Sequence, residues 1–162
     1  MNIDAETIVE PVATPYETSY PFDEAMSIEV FSYVNRGLWQ DLYNSSQVIE
    51  YRPDQVITIG DFQIERKQII DKIRLTGKEI TQLDSLMYRL TCESDDVAFC
   101  YEPRHFFLFV NKENESFAGL EICFECISGI ATKGFESPQL CDNKNLKIMT
   151  FLQSKGINYF GE

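Results

Sequence analysis

Two apolar segments flank the short polar stretch KENES, and this arrangement constrains the fold more than any other feature of the chain. The segments at 105–110 and 118–124 are rich in phenylalanine, leucine and isoleucine. Apolar segments of this length, joined by a few turn-forming residues, are typical of an antiparallel hairpin. We therefore expect a β-sheet that contains this hairpin.

The register of the hairpin decides which side chains meet across it. If the turn is centred on Asn114, His105 lies directly opposite Cys123, with about 5 Å between the two Cβ atoms. A shift of one residue places Ile122 opposite His105 instead, because neighbouring residues of a strand face opposite sides of the sheet. The sequence leaves both registers open.

Residues 27–34 predict a strand with apolar side chains on both faces, which is typical of a strand in the middle of a sheet. Short apolar segments separated by turn-forming residues predict further strands elsewhere in the chain. These are expected at 47–51, 55–59, 61–66, 68–75 and 98–101.

Two helices are predicted, at about 77–91 and at 142–155, from apolar positions that recur on one helical face. Thr76 and Glu79 have the spacing of a capping box before the first helix, and Gly156 suits the end of the second. The order of strands, helix, strands and helix indicates an α+β fold. We expect a single domain with a mainly antiparallel sheet and both principal helices on one face.

The domain organisation follows from the length and the proline positions. A chain of 162 residues with 44% hydrophobic side chains is typical of one globular domain. Pro11, Pro15 and Pro21 interrupt any regular element near the start. We expect an irregular N-terminal arm at 1–22 and a single α+β domain at 23–162.

The net charge is −12, and many of the acidic residues lie at the start of the chain, where seven precede the first basic residue, Arg36. An acidic surface repels phosphate groups, so we expect neither nucleic acid nor a membrane among the partners. The same surface attracts a basic protein by long-range electrostatics. A homodimer is the other option, because aromatic-rich strands can expose an apolar patch.

The N-terminal sequence lacks the basic and apolar segments of a signal peptide, and no apolar run approaches the length of about 20 residues that spans a bilayer. Five cysteines, an odd number, fit a reducing compartment better than a disulfide framework. We therefore expect a cytoplasmic protein.

Three of the five cysteines and the only histidine lie between positions 100 and 126. Cys123 and Cys126 have the CxxC spacing of a zinc-ligand pair. In a straight strand their sulfurs would point to opposite faces, so shared ligation requires the strand to end near Phe124 and turn. The candidate metal ligands are Cys100, His105, Cys123, Cys126 and Cys141.

The same residues allow three other hypotheses. The CxxC pair would serve as a redox dithiol if it lay at a helix N-terminus, but the preceding residues predict a strand. Cys123 and His105 would form a nucleophile–base pair if they touched. The commonest role of such residues is structural, because cysteine packs as a small buried apolar side chain. We identify no catalytic residue, since the motifs of nucleotide-binding, metalloprotease and hydrolase sites are missing.

The pattern Cys100, Pro103-Arg104-His105, CFEC and Leu140-Cys141, together with the terminal LKIMTFLQSKGINYFG, resembles a family of small uncharacterised bacterial proteins frequent in Bacteroidetes-type genomes. The stretch YPFDEAMSIEVFSYVNR is similar to the start of that family. The resemblance extends from about Tyr20 onward and implies no activity. It does imply that the cysteines and His105 belong to one pattern, either a metal site or a dense core.

The leading functional hypothesis is a non-enzymatic protein-binding module, in its specific form an acidic, immunity-type inhibitor of a basic partner protein. We expect no cofactor under this hypothesis. The alternative is a zinc- or thiol-dependent protein that uses the cysteines and His105 around the CxxC motif.

Overall fold

Seven β-strands and three α-helices lie within residues 19–41, 52–94 and 100–161, which the computed structural model describes; of residues 37, 40 and 41 it describes the backbone alone. The strands are β1 (Ser27–Tyr33), β2 (Val56–Ile59), β3 (Phe62–Glu65), β4 (Ile69–Thr76), β5 (His105–Val110), β6 (Ser116–Cys123) and β7 (Ser128–Ala131). The helices are α1 (Arg36–Asp41), α2 (Lys78–Tyr88) and α3 (Asp142–Lys155).

Five strands form one antiparallel sheet in the order β4-β1-β5-β6-β7, and β2 and β3 form a separate hairpin. β1 has a neighbour on each side, which confirms the prediction of a strand inside the sheet and explains its two apolar faces. The single α+β domain predicted from the sequence is confirmed.

Both principal helices pack on the same face of this sheet, which we call the helix face. Ile80 and Leu83 of α2 and Ile148 and Leu152 of α3 share one buried cluster with side chains of β1, β4, β5 and β6. Burying these apolar side chains is the main contribution to the stability of the domain, about 1.5–3 kcal/mol for each fully buried large side chain.

The two principal helices keep part of the end signals that the sequence predicts. Glu79 accepts a hydrogen bond from the backbone N–H of Thr76 at 3.3 Å, but α2 begins at Lys78 with Gly77 as its N-cap, so the predicted capping box lacks its threonine half. Gly156 adopts the left-handed φ of 118° at the end of α3 and donates its N–H to Leu152. Glu79 also forms an ion pair with Lys155 at 3.1 Å, so the start of α2 is tied to the end of α3.

The opposite face of the sheet, which we call the hairpin face, is covered by β2 and β3. Phe62 of the hairpin packs edge-on against Phe106 of β5 with ring centroids 5.1 Å apart. Gly119 of β6 makes room for this contact, because a Cβ atom there would lie 3.2 Å from Ile59 and closer still to the Phe106 ring. The buried Trp39 of α1 joins the same cluster.

The β5–β6 hairpin pairs His105 with Ile122, so the register with His105 opposite Cys123 is wrong and the alternative register is the observed one. The reason lies in the turn. The side-chain oxygen of Asn111 accepts hydrogen bonds from the backbone of Glu113 and Glu115, at 3.1 and 2.9 Å, which places the turn one residue earlier than expected. A register shift between Phe109 and Val110 then sets the pairing of the remaining strand.

Other expectations have mixed outcomes. Residues 128–131, for which the sequence predicted neither strand nor helix, form the short edge strand β7. The expected strand at 98–101 is wrong for Cys100 and Tyr101, which lie in a loop, and its first two residues lie outside the described part. The expected strand at 47–51 and residues 1–18 of the expected arm also lie outside it. Phe22, at the end of that arm, is buried in the core of the helix face.

A buried lysine joins the two principal helices at their other ends. The ammonium group of Lys144 on α3 donates hydrogen bonds to the backbone carbonyls of Met87 at 2.7 Å and Gln139 at 2.6 Å. Met87 lies in the last turn of α2, where carbonyl groups have no partner within the helix and a cation is favourable. Burial lowers the pKa of Lys144 from its ordinary value.

In the part of the chain that the structure describes, no helix has both the length and the apolar character needed to cross a membrane.

Candidate functional site

The five cysteines, all of them described, form two disulfide bonds and leave one thiol. Cys92 is bonded to Cys141, with Cα atoms 5.8 Å apart, and this bond joins the segment after α2 to the start of α3. Cys100 is bonded to Cys126, with Cα atoms 5.4 Å apart, and this bond joins the loop before β5 to the turn after β6. Cys123 is the free thiol, and it is buried.

The structure does not gather the five predicted metal ligands at one place. Cys141 lies at the start of α3, bonded to Cys92, a residue that the sequence analysis did not select. The sequence did contain a signal for this pairing. Cys92 lies just after the first predicted helix, and Cys141 lies just before the second. Within the described ranges no group of three or more His, Cys, Asp and Glu side chains is arranged to hold a metal ion. Zinc binding stays a prediction, and it would require reduced cysteines because thiolates are the ligands.

The chain turns within the CxxC motif. Such a turn is needed for the two sulfurs to lie on the same side of the sheet. β6 ends at Cys123, and residues 124–127 form a turn in which Ile127 has a φ of 53°. That left-handed conformation is rare for a β-branched residue, so the turn depends on its surroundings. The backbone N–H of Cys126 donates to the sulfur of Cys123 at 3.1 Å.

The Cys123 sulfur therefore contacts the backbone of Cys126, which forms the disulfide with Cys100. Burial raises the pKa of the Cys123 thiol, and the backbone N–H groups of Glu102 and Cys126 partly oppose this effect because they stabilise a thiolate. The residue is about 1% exposed, so it is protected from reagents in solution while it stays close to the disulfide.

His105 lies on the other side of the sheet from this thiol. It pairs with Ile122, and the side chains of Ile122 and Cys123 point to opposite faces because they are neighbours in β6. The ring of His105 packs against Phe124 and Phe160, with centroids 5.1 and 4.8 Å away. The register thus separates the two members of the predicted nucleophile–base pair.

The histidine instead holds the C-terminal segment against the sheet. Its Nε2 lies 2.9 Å from the carbonyl oxygen of Tyr159, and burial lowers the pKa of His105 to about 4, so the neutral ring donates its N–H to that carbonyl. Asp71 of β4 holds the same segment, because its carboxylate accepts the backbone N–H groups of Asn158 and Tyr159 at 2.9 and 2.8 Å. Burial alone would raise the pKa of Asp71, but these bonds and one from Ser32 lower it.

A buried carboxylate lies on the hairpin face. Glu121 of β6 is fully buried, and its two oxygens accept hydrogen bonds from Arg36 Nε at 2.6 Å, Arg36 Nη2 at 2.8 Å, Tyr33 at 2.8 Å and Tyr101 at 3.0 Å. A carboxylate has about four acceptor positions, so these four donors occupy all of them. Burial, followed by the charge of Glu121, raises the pKa of both tyrosines. No expectation drawn from the sequence included this network, although a lone glutamate inside the apolar run GLEICF was its signal.

An acidic cleft with a volume of about 480 Å³ lies where β1 begins and the β5–β6 hairpin turns. Asp23, Glu24 and Glu113 line it and are exposed, and Glu113 forms an ion pair at 4.0 Å with Lys112, which also lines the cleft. Met26 is also part of its lining and is 61% exposed. The remaining lining residues are Ala25 and Asn111.

Comparisons with protein-family models, with curated proteins and with solved structures find no match to this chain.

Proposed function

We propose that this chain is a non-enzymatic protein-binding module, and that it binds a basic partner protein through the acidic cleft. The observation that carries the proposal is the combination in one cleft of three exposed carboxylates, from Asp23, Glu24 and Glu113, with the exposed apolar side chain of Met26. The specific form of the hypothesis is an immunity-type inhibitor that covers the cationic surface of its target.

The chemistry of the cleft suits a lysine or arginine side chain of the partner. The charged end of such a side chain would meet the carboxylates, while its methylene groups would pack on Met26. The net charge of −12 supports fast association, because charge complementarity raises the rate at which partners meet. Part of this charge belongs to acidic residues outside the described ranges, at positions 4, 6, 10, 17, 50, 95, 96 and 162.

Two buried groups of the described part support binding rather than catalysis. Glu121 already accepts four intramolecular hydrogen bonds, and His105 already donates to the Tyr159 carbonyl. A general base needs an accessible lone pair near its substrate. The lone pairs of Glu121 accept hydrogen bonds within the fold, and the remaining lone pair of His105 is buried.

The two disulfide bonds bear on the cytoplasmic location that was expected from the sequence. Two disulfide bonds are typical of proteins from an oxidising compartment, since cytosolic thiols are kept reduced. We include an oxidising compartment in the proposal, and the partner should be sought there.

The test begins with a basic protein recovered by crosslinking in an oxidising compartment, identified by mass spectrometry and then purified. Its association rate is measured by stopped-flow fluorescence with the wild-type chain and with the variant D23N/E24Q/E113Q. We expect the variant to associate at least about tenfold more slowly at low salt, because three steering charges are lost. We also expect the wild-type rate to fall as salt rises, because salt screens exposed charges.

The matched control is D54N/E93Q/E102Q, which changes the net charge by the same amount at three exposed positions outside the cleft. It should associate within about threefold of the wild-type rate, since local charges dominate steering. Equal slowing by both variants would indicate a net-charge effect and overturn the assignment of the cleft. Binding that neither variant nor salt affects would overturn the proposal of an electrostatic partner.

A further inference from the structure

We propose that Cys123, Cys126 and Cys100 form an intramolecular thiol–disulfide exchange site, in which the buried thiol displaces Cys100 from its disulfide and presents it as a thiol at the surface. The proposal does not depend on the acidic cleft. Its substrate class is a disulfide-bonded compound or protein that reacts with the released Cys100.

The geometry of the turn after β6 carries this inference. The sulfur of Cys123 accepts a hydrogen bond from the backbone nitrogen of Cys126 at 3.1 Å. Only the Cα and Cβ atoms separate that nitrogen from the Cys126 sulfur, so the free thiol and the disulfide lie within one turn. Two residues separate Cys123 from Cys126, and because residues 124–127 form a turn, both side chains can approach each other without a change of strand register.

The step is balanced without an external oxidant. The Cys123 thiol gives its proton to water, and the thiolate attacks the sulfur of Cys126. A bond forms between Cys123 and Cys126 while the bond between Cys126 and Cys100 breaks. Cys100 leaves as a thiolate and takes a proton from water, so one disulfide and one thiol are present before and after the step.

The two forms differ in where the thiol lies. In the observed form the thiol belongs to Cys123, which is about 1% exposed. In the exchanged form it belongs to Cys100, an exposed residue of the loop before β5. The exchanged form can attack the disulfide of a partner, forming a mixed disulfide with one partner sulfur and releasing the other as a thiolate.

The rate should depend on pH through the attacking sulfur. The thiolate is the nucleophile, and burial raises the pKa of Cys123, so the thiolate is scarce at neutral pH. We expect the exchange rate to rise about tenfold for each pH unit while the pH stays below that pKa.

The experiment uses the full chain purified without thiol reagents. Samples are incubated at several values between about pH 6 and about pH 9, quenched with acid, alkylated with N-ethylmaleimide, digested and mapped by mass spectrometry. The expected result is a growing fraction of alkylated Cys100 together with one peptide in which Cys123 and Cys126 are linked. A second arm adds oxidised glutathione and should yield glutathione attached to Cys100.

The variant C123A provides the control, because it lacks the attacking sulfur. The variant should keep the Cys100–Cys126 bond and show neither alkylated Cys100 nor a glutathione adduct. A thermal melt followed by circular dichroism reports whether the variant is folded. If C123A does not fold, C123S serves in its place. The Cys92–Cys141 bond of the wild-type chain is an internal control and should stay intact.

Three outcomes would overturn the proposal. The first is a wild-type chain that shows no more alkylated Cys100 than the variant at any pH. The second is alkylation of Cys92 or Cys141 at the same rate, which would mean exchange through global unfolding. The third is a rate that rises with protein concentration, which would mean exchange between molecules.

Discussion

His105 packs between two aromatic rings, and its nearest polar partner, the Tyr159 carbonyl, lies 54 residues away in the chain. Its residue type marked it as a candidate ligand or base, but its role depends on a segment that no local pattern connects to it. Cys123 differs, because the CxxC spacing identified it and the turn that the motif needed is present. Residue type and spacing therefore selected these two side chains as candidates, whereas the partners that they contact depend on tertiary structure.

The buried neutral state of His105 predicts a loss of stability in mild acid. In the unfolded chain the ring takes up a proton near pH 6.5, but in the folded chain its pKa is about 4, because burial disfavours the charged form. Between these two values the unfolded state binds more protons, so the free energy of unfolding falls as the pH falls. The full loss should approach about 3 kcal/mol near pH 4.

Urea denaturation of the wild-type chain and of H105Q, measured at several pH values, checks this prediction. The glutamine amide can still donate to the Tyr159 carbonyl but does not titrate. The difference in the free energy of unfolding between the wild type and the variant therefore reports the titration of His105. Parallel pH profiles for the two proteins would contradict the assignment of a buried neutral ring.

At the scale of the elements, apolar periodicity predicted α3 with its observed bounds and predicted α2 slightly too long. It did not predict β7, because the four residues SGIA lack an alternating pattern. The hairpin register depended on the Asn111 side chain, which no periodicity encodes. The place of the β2–β3 hairpin on the sheet depended on Gly119, whose missing side chain makes room for an aromatic contact.

The contact at Gly119 leads to a prediction about how the hairpin packs. The substitution G119A would place a Cβ atom against the ring of Phe106, which already packs on Phe62, and 3.2 Å from Ile59. Accommodating the methyl group would displace the β2–β3 hairpin, and overpacking of this kind costs about 1–3 kcal/mol.

Chemical denaturation of G119A is compared with that of S116A, a substitution at an exposed position of the same strand. S116A should change the free energy of unfolding by no more than about 0.5 kcal/mol. If G119A is as stable as the wild type, the hairpin does not pack on this part of the sheet.

For the whole molecule, composition and element order predicted a single α+β domain with helices on one face, and the structure confirms this architecture. The two disulfide bonds could not be predicted from composition and element order. An odd number of cysteines favoured free thiols, and the pairing depends on which loops meet in space. The cover of the second face by a separate hairpin likewise depends on long-range packing.

The Cys92–Cys141 bond closes a loop with a sequence separation of 49 residues, which includes part of the sheet. Removing it in C92A/C141A should lower the free energy of unfolding by about 2–4 kcal/mol, chiefly because the unfolded chain becomes less restricted. Urea denaturation without reductant measures this difference.

The same titration in the presence of a reducing agent is the control. Reduction should destabilise the wild-type chain more than it destabilises the double variant, since the variant no longer has this bond to lose. Equal responses to the reducing agent would mean that the Cys92–Cys141 bond contributes little to stability.

The buried ammonium of Lys144 has a consequence for the dynamics of the helices. It belongs to α3 but donates to the Met87 carbonyl at the end of α2, while Glu79 and Lys155 tie the opposite ends of the two helices. If α2 opened alone, Lys144 would remain in an apolar core with one of its partners missing, which costs free energy. We therefore expect the two helices to form one cooperative unit of local unfolding, so that their amide hydrogens exchange with solvent in the same opening event.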